Sequence, residues 1–161
     1  MRSIGEFHLG EFHRTLDQRY RLALPAELDG IFSSEERSCV LAKERTGCLS
    51  LWRQDIWRSR WQASVELVEA KMRAGKLDGH LARVQSLARL LSTRHREVQL
   101  AGRARLVLPE GFREFLRVEP GGDVVVVGAG VCVEMWSPKH WMAYVDRRMP
   151  RFSRLLDQLS K

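Results

Sequence analysis

An internal repeat constrains this chain more than any other feature. Slid against itself at an offset of 84 positions, the 161-residue sequence sets Leu16 over Leu100, Arg19 over Arg103, Arg21 over Arg105, Leu22 over Leu106, Leu24 over Leu108 and Pro25 over Pro109. The register continues without a gap through Val40 and Val124, Cys48 and Cys132, Trp52 and Trp136, and Trp57 and Trp141. Only five tryptophans are present, so two coincidences at one offset point to duplication rather than chance. Stacked solenoids need about three or more units to bury their faces. Two copies instead predict a pair of small domains packed as an internal pseudo-dimer.

Each copy opens with period-two alternation, Arg21-Leu22-Ala23-Leu24 and Arg105-Leu106-Val107-Leu108, the pattern of a half-buried strand. Pro25 and Pro109 stop each strand, and a short amphipathic turn or helix is expected over 26–32 and 110–118. Hairpin strands follow at 39–42 and 47–52, matched by 123–127 and 131–136, with turns at Arg45-Thr46-Gly47 and Gly128-Ala129-Gly130. Beyond the hairpins the pattern becomes helical. One helix runs from about 54 to 74 with Gly75 as its stop, and Ser137-Pro138 starts its counterpart. Asp78 is expected to cap a further helix carrying Leu81, Val84, Leu87, Ala88 and Leu91 at helical spacing. The tail, 144–161, reads as helical with a break at Pro150.

The expected class is therefore α+β, two tandem small β domains with helices after each hairpin. Their bounds are 7–60 and 92–143, joined by a helical linker at 61–91 and followed by a basic helical tail at 144–161.

Lys and Arg number 27 against 20 Asp and Glu, a formal charge of +7, which favours polyanionic partners. Residues 1–6 lack the apolar core of a signal peptide, and no apolar run approaches the roughly 20 residues that span a bilayer. A cytoplasmic protein with no membrane contact is expected. Cys39, Cys48 and Cys132 form no CxxC pair, which fits a reducing compartment and gives no zinc signature. Five histidines show no ligand spacing, and no nucleophile, base and acid grouping stands out. We expect no enzyme activity, no cofactor, no metal and no small-molecule substrate. The run from Val124 to Gly130 imitates a dinucleotide loop, but it lacks the third glycine and continues as strand where a helix is required.

Arginines at repeated positions are the candidate binding residues. Arg19 and Arg21, like Arg103 and Arg105, sit at i and i+2, which on a strand points both to one face. A basic β hairpin fits the major groove, where Arg reads guanine and its neighbours hold phosphates. The competing reading is a solvated strand end, or an arginine paired with Asp17. Arg14, beside His13, and Arg96, beside Arg94 and His95, extend the basic surface ahead of each motif. Arg147, Arg148, Arg151 and Arg154 read as a solvated or subunit-contacting helix face. Trp52, Trp57, Trp136 and Trp141 read as core clamps at strand-to-helix junctions.

Residues 9–25, Leu-Gly-Glu-Phe-His-Arg-Thr-Leu-Asp-Gln-Arg-Tyr-Arg-Leu-Ala-Leu-Pro, closely resemble the opening of MraZ proteins, whose pattern is Leu-Asp-x-(Lys/Arg)-Gly-Arg followed by apolar alternation to Pro. The resemblance extends over about residues 7–146. It implies tandem SpoVT-AbrB-type domains in a ring-shaped homo-oligomer, a nucleoid-associated transcriptional regulator. Its expected partner is double-stranded DNA, at direct repeats in promoters of cell-division and cell-wall genes. Departures are Tyr20 and Ala104 at the family's glycine, a position that expects positive φ, and Ala101 at the family's aspartate, with Gly102 displaced. The alternative is an antitoxin-like or scaffold interaction module using Phe152, Leu155, Leu156 and Leu159.

Overall fold

The computed structural model describes residues 7–30, 32 and 38–161. Residues 1–6, read above for a leader, and residue 31 of the expected turn after Pro25 lie outside the described residues. The elements are β1 (His8–Thr15), β2 (Arg21–Ala23), α1 (Ala26–Asp29), β3 (Ser38–Arg45), β4 (Cys48–Arg53), α2 (Gln54–Arg73) and α3 (Leu81–Arg94). The second half adds β5 (His95–Gln99), β6 (Arg105–Val107), α4 (Phe112–Leu116), β7 (Asp123–Gly130), β8 (Val133–Trp136), α5 (Pro138–Arg148) and α6 (Phe152–Ser160). Short 3-10 turns occupy Asp78–His80 and Met149–Arg151. The class is α+β with antiparallel sheets.

Six strands form one sheet in the order β1-β7-β8-β4-β3-β5, while β2 and β6 form a separate two-stranded ribbon. First strands are exchanged between the sequence copies. β1 lies against β7 with Arg14 opposite Val124, and β5 lies against β3 with Val98 opposite Cys39. At two places residues 84 positions apart face one another: Leu22 opposite Leu106 in the ribbon, and Ser50 opposite Glu134 at the sheet centre.

Alternation along the strands divides the apolar residues between two faces. One face carries Leu41, Leu49, Leu51, Val124, Val126, Val133 and Met135, and it is closed by Leu22 and Leu106 of the ribbon together with Leu28, Phe112 and Leu116. The other face holds two aromatic clusters. Trp52 and Trp57, 6.0 Å apart, pack with Val40, Ala42 and Cys132 beneath α2. Trp136 and Trp141, 5.3 Å apart, pack with Cys48 and Val125 beneath α5. The tryptophans are thus clamps, and their indoles are satisfied in parallel: Trp52 Nε1 donates to Ser50 Oγ at 2.8 Å and Trp136 Nε1 to Glu134 Oε1 at 3.0 Å. Burial pushes the Glu134 carboxyl above the ordinary glutamate value, with the Glu44 charge adding to the rise.

Helix ends follow the local sequence with one exception. Gly75 (φ +72°) terminates the α2 segment, and Ser137 Oγ accepts the His140 amide at 3.2 Å to cap α5. Asp78, expected as a cap, instead begins a 3-10 turn, and α3 starts after His80 without a side-chain cap. Pro150 lies in the 3-10 turn between α5 and α6, as a residue lacking an amide donor predicts.

Leu106 is fully buried beneath the ribbon, whereas its neighbour Val107 is 48% exposed. Leu106→Ala is expected to cost about 2–5 kcal/mol and Val107→Ala less than about 0.5 kcal/mol, measured by urea denaturation. Equal losses would mean that the ribbon does not close the core.

Candidate nucleic-acid interface

The ribbon presents its polar side chains outward because its two central leucines are held inward. Arg21 pairs with Val107 and Ala23 with Arg105, so the two arginines sit on the solvent face as diagonal neighbours, a spacing of roughly 7–8 Å in antiparallel pairs. The turn entering β2 and the turn entering β6 lie at opposite ends of the ribbon, since the strands run antiparallel. Arg19 and Arg103 are exposed in those turns. Along the ribbon the four arginine positions thereby follow one another as Arg19, Arg21, Arg105 and Arg103.

Both turns use left-handed backbone at the position where the sequence analysis expects glycine. Tyr20 has φ 58° and Ala104 φ 55°. The conformation sends each carbonyl across to the other copy: Tyr20 O accepts Leu108 N at 2.9 Å, and Ala104 O accepts Leu24 N at 3.0 Å. The Tyr20 ring is covered by the Arg113 guanidinium, 3.8 Å from its centroid.

Support for the two turns differs. Asp17 Oδ1 accepts the backbone amides of Arg19 at 2.8 Å and Arg21 at 2.9 Å, while Oδ2 accepts Arg21 Nε at 2.7 Å. The Arg21 amide is the largest influence holding the Asp17 carboxyl below its ordinary value, with the Arg21 guanidinium and the Arg19 amide acting in the same sense. Ala101 has no side-chain acceptor. The second turn closes through reciprocal backbone bonds between Ala101 and Arg105, both 2.9 Å, with Gly102 also at positive φ. The competing reading of an arginine tied to Asp17 therefore describes Arg21, and Arg19 remains clear of the carboxylate's side-chain pairing.

Arg14 and Arg96 are not brought into this row. They lie on β1 and β5, the opposite edge strands of the sheet, and they are not repeat equivalents, since Val98 occupies the position matching Arg14. Arg14 lies 5.8 Å from the Phe12 ring centroid and donates to His13 O, while Arg96 lies 5.8 Å from the Phe112 ring. Arg94 and His95 turn inward instead of widening the basic surface: Arg94 pairs with Glu44 at 3.7 Å and covers Trp61, and His95 packs on Trp57. Burial lowers the His95 pKa, and Arg94 adds to the effect. Sequence reasoning missed Arg113, which secures Tyr20 and donates Nε to Leu108 O at 3.2 Å. The repeat gives no signal for it, because Asp29 occupies the equivalent position.

Comparison with known proteins extends over nearly the whole chain. A family model described as MraZ protein, antitoxin-like, matches residues 92–158. A Syntrophomonas wolfei protein named transcriptional regulator MraZ is 30% identical over 152 residues, covering 94% of this chain and 95% of its own. The chain belongs to the MraZ family. Proteins of the same name from Heliobacterium modesticaldum and Moorella thermoacetica are 27% and 28% identical, each match covering 94% of this chain and 95% of theirs. Coverage of that extent includes both repeat copies and the helices between them, so MraZ membership applies to the duplicated unit as a whole. Among the described residues no helix is long and apolar enough to cross a membrane.

Two outcomes follow from the turns. Ala104 is buried, so Ala104→Gly exchanges relief of left-handed strain for removal of a methyl worth about 0.8 kcal/mol and should leave stability within ~1 kcal/mol. Ala104→Val should lower it by roughly 1–3 kcal/mol, and thermal unfolding of both variants tests the φ assignment. For Asp17 the folded-state pKa is the depressed one, so its stabilisation is complete above the ordinary value near pH 4 and fades as pH falls through the depressed value. Wild-type protein should therefore lose more stability than Asp17→Asn on acidification below about pH 4. Parallel acid profiles would remove the carboxylate from the support of the turn.

Proposed function

We propose that this MraZ-family chain is a sequence-specific DNA-binding transcriptional regulator that reads short direct repeats upstream of cell-division and cell-wall genes. The observation that carries the reading is the ribbon, whose solvent face bears two arginines between turns that bear two more. A two-stranded β ribbon fits the major groove of B-DNA. Arg19 and Arg103, which have no ion-pair partner among the described residues, are the base readers in this scheme. Arg21 and Arg105 hold the ribbon's centre against the duplex, with Arg21 oriented by Asp17. Arg14 and Arg96 serve as outer phosphate contacts.

The cross-copy register, Leu22 on Leu106 and Ser50 on Glu134, supports reading the chain as two SpoVT-AbrB-type domains, 7–60 and 92–143, packed as a pseudo-dimer. Residues 61–91 then form the helical linker and 144–161 the tail. One ribbon touches too little of the duplex for tight binding, so the regulator acts as a ring-shaped homo-oligomer in the cytoplasm, associated with the nucleoid. Linking several ribbons makes later binding events effectively intramolecular. Exposed Leu67, Leu81, Leu87 and Leu90 on α2 and α3 give such an assembly apolar surface to bury. No catalytic step, cofactor or small-molecule substrate enters the scheme.

A protein-interaction module of antitoxin-like or scaffold kind is the second reading, favoured by Phe152, Leu155, Leu156 and Leu159, each more than half exposed on α6. Removing residues 152–161 separates the two, because DNA binding through the ribbon survives that deletion and partner capture through α6 does not.

The deciding experiment is a gel shift at stated salt with duplex from upstream of the protein's own gene, after light scattering has shown that each variant assembles as wild type does. Arg19→Ala with Arg21→Ala should lower affinity more than Arg103→Ala with Arg105→Ala, because Asp17 organises only the first turn. Deleting one bidentate arginine–base interaction should cost about 1–3 kcal/mol of binding. Affinity should also fall with salt at a log-log slope of about −0.9 per neutralised phosphate. Unchanged binding in both variants would overturn the ribbon as the reading surface.

A further inference from the structure

The elbow between α5 and α6 holds a second basic feature, separate from the ribbon. The 3-10 turn Met149–Arg151 bends the chain there, and the bend encloses a cleft of about 290 Å³ lined by Tyr144, Arg148, Arg151, Arg154, Leu155 and Gln158. Three arginines, spaced three residues apart, line this space. Among the described residues no carboxylate lines it, although Asp146 and Asp157 stand on the same helices.

Tyr144, the one aromatic among the described residues lining the cleft, is itself packed against other rings. Tyr144 stacks on Trp141 at an interplanar angle of 17° and approaches Trp136 with centroids 5.0 Å apart. Arg148 lies 5.9 Å and Arg45 5.1 Å from the Tyr144 ring centroid. Tyr144 is thus packed against two rings and two guanidinium groups. Arg151 and Arg154 make no ion pair among the described residues.

Three like charges in one concavity repel each other, and an anion relieves that repulsion. Guanidinium forks match oxyanions with several oxygens, above all phosphates. The cleft is larger than one tetrahedral oxyanion requires, and its donors come from both arms of the elbow. We infer that it binds a soluble anion of two or three linked phosphates, such as the phosphate chain of a nucleoside di- or triphosphate. Tyr144, the one aromatic of that lining among the described residues, already packs on Trp141 and Trp136, so the chain of phosphates rather than a base is what the site recognises. Phe152, Leu156 and Leu159 lie outside the lining, which favours a soluble ion over a lipid headgroup. The concavity favours a small ion over the ridge of a duplex.

The test is calorimetric titration of the full-length protein with sodium tripolyphosphate at fixed ionic strength. The variant Arg148→Gln/Arg151→Gln/Arg154→Gln should weaken binding at least tenfold. The ribbon variant Arg19→Gln/Arg103→Gln should leave it within twofold, and orthophosphate should bind at least tenfold more weakly than tripolyphosphate. Should the triple variant fail to fold, Arg151→Gln alone, at an exposed position, should weaken binding at least threefold. Wild-type affinity in these cleft variants overturns the site. A loss of specific duplex affinity in the triple variant beyond threefold assigns the arginines to the DNA backbone and overturns the inference. Binding to phosphatidylglycerol vesicles that tripolyphosphate does not compete away assigns them to a membrane surface and overturns it equally.

Discussion

Two backbone hydrogen bonds hold this architecture in register. Tyr20 and Ala104, both left-handed, turn their carbonyls outward from their own turns and into the opposite copy, where Leu108 and Leu24 donate to them. An ordinary right-handed or extended residue at either position would aim its carbonyl elsewhere and leave a buried amide without a partner, which costs about 1–3 kcal/mol. Because the bonds are reciprocal, they fix β2 against β6 and place Leu22 against Leu106 over the sheet. The placement of the arginines outside follows from the placement of the leucines inside.

The repeat made much of this legible. The first hairpin, the tryptophan clamps, the Ser137 cap and the stop at Gly75 all rest on local pattern, and the positive φ at Tyr20 and Ala104 follows from the glycine expected there. The second hairpin turns at Val131-Cys132, after β7 has run through the glycines expected to form the turn. Strand exchange between copies was not legible. Offset identity says that β1 and β5 are equivalent, but it carries no information about which copy's β3 or β7 completes each pairing, because strand partners are chosen by long-range packing. Asp78 has the side chain of a cap, yet the chain takes a 3-10 turn before α3. Among the candidate residues, the i and i+2 spacing predicts one strand face for Arg19 and Arg21, yet only Arg21 lies on β2 and Arg19 sits in the turn before it, because left-handed Tyr20 interrupts the extended backbone. The separation of Arg14 and Arg96 onto opposite sheet edges was not legible, since it depends on strand order.

Two departures from symmetry lie where the two copies meet. Ser50 and Glu134 face each other across β4 and β8, and each accepts an indole N–H from its own tryptophan. One copy thus meets the donor with a neutral hydroxyl and the other with a carboxylate whose burial disfavours its charge. Asp17 and Ala101 differ in the same way at the ribbon turns. The cross-copy pairings share one frame, and different residues at equivalent positions make its two halves chemically distinct.

The exchange of first strands also sets a schedule for synthesis. His8 pairs with Gly130 and Thr15 with Asp123, so β1 leaves the ribosome more than a hundred residues before its neighbour in the sheet exists. Pairings so distant in sequence slow folding through the loop entropy they must close, and a waiting strand is open to pairing with another nascent chain. β1 carries His8, Glu11, His13 and Arg14 among its eight residues, a polar content that keeps the unfinished edge soluble while translation catches up.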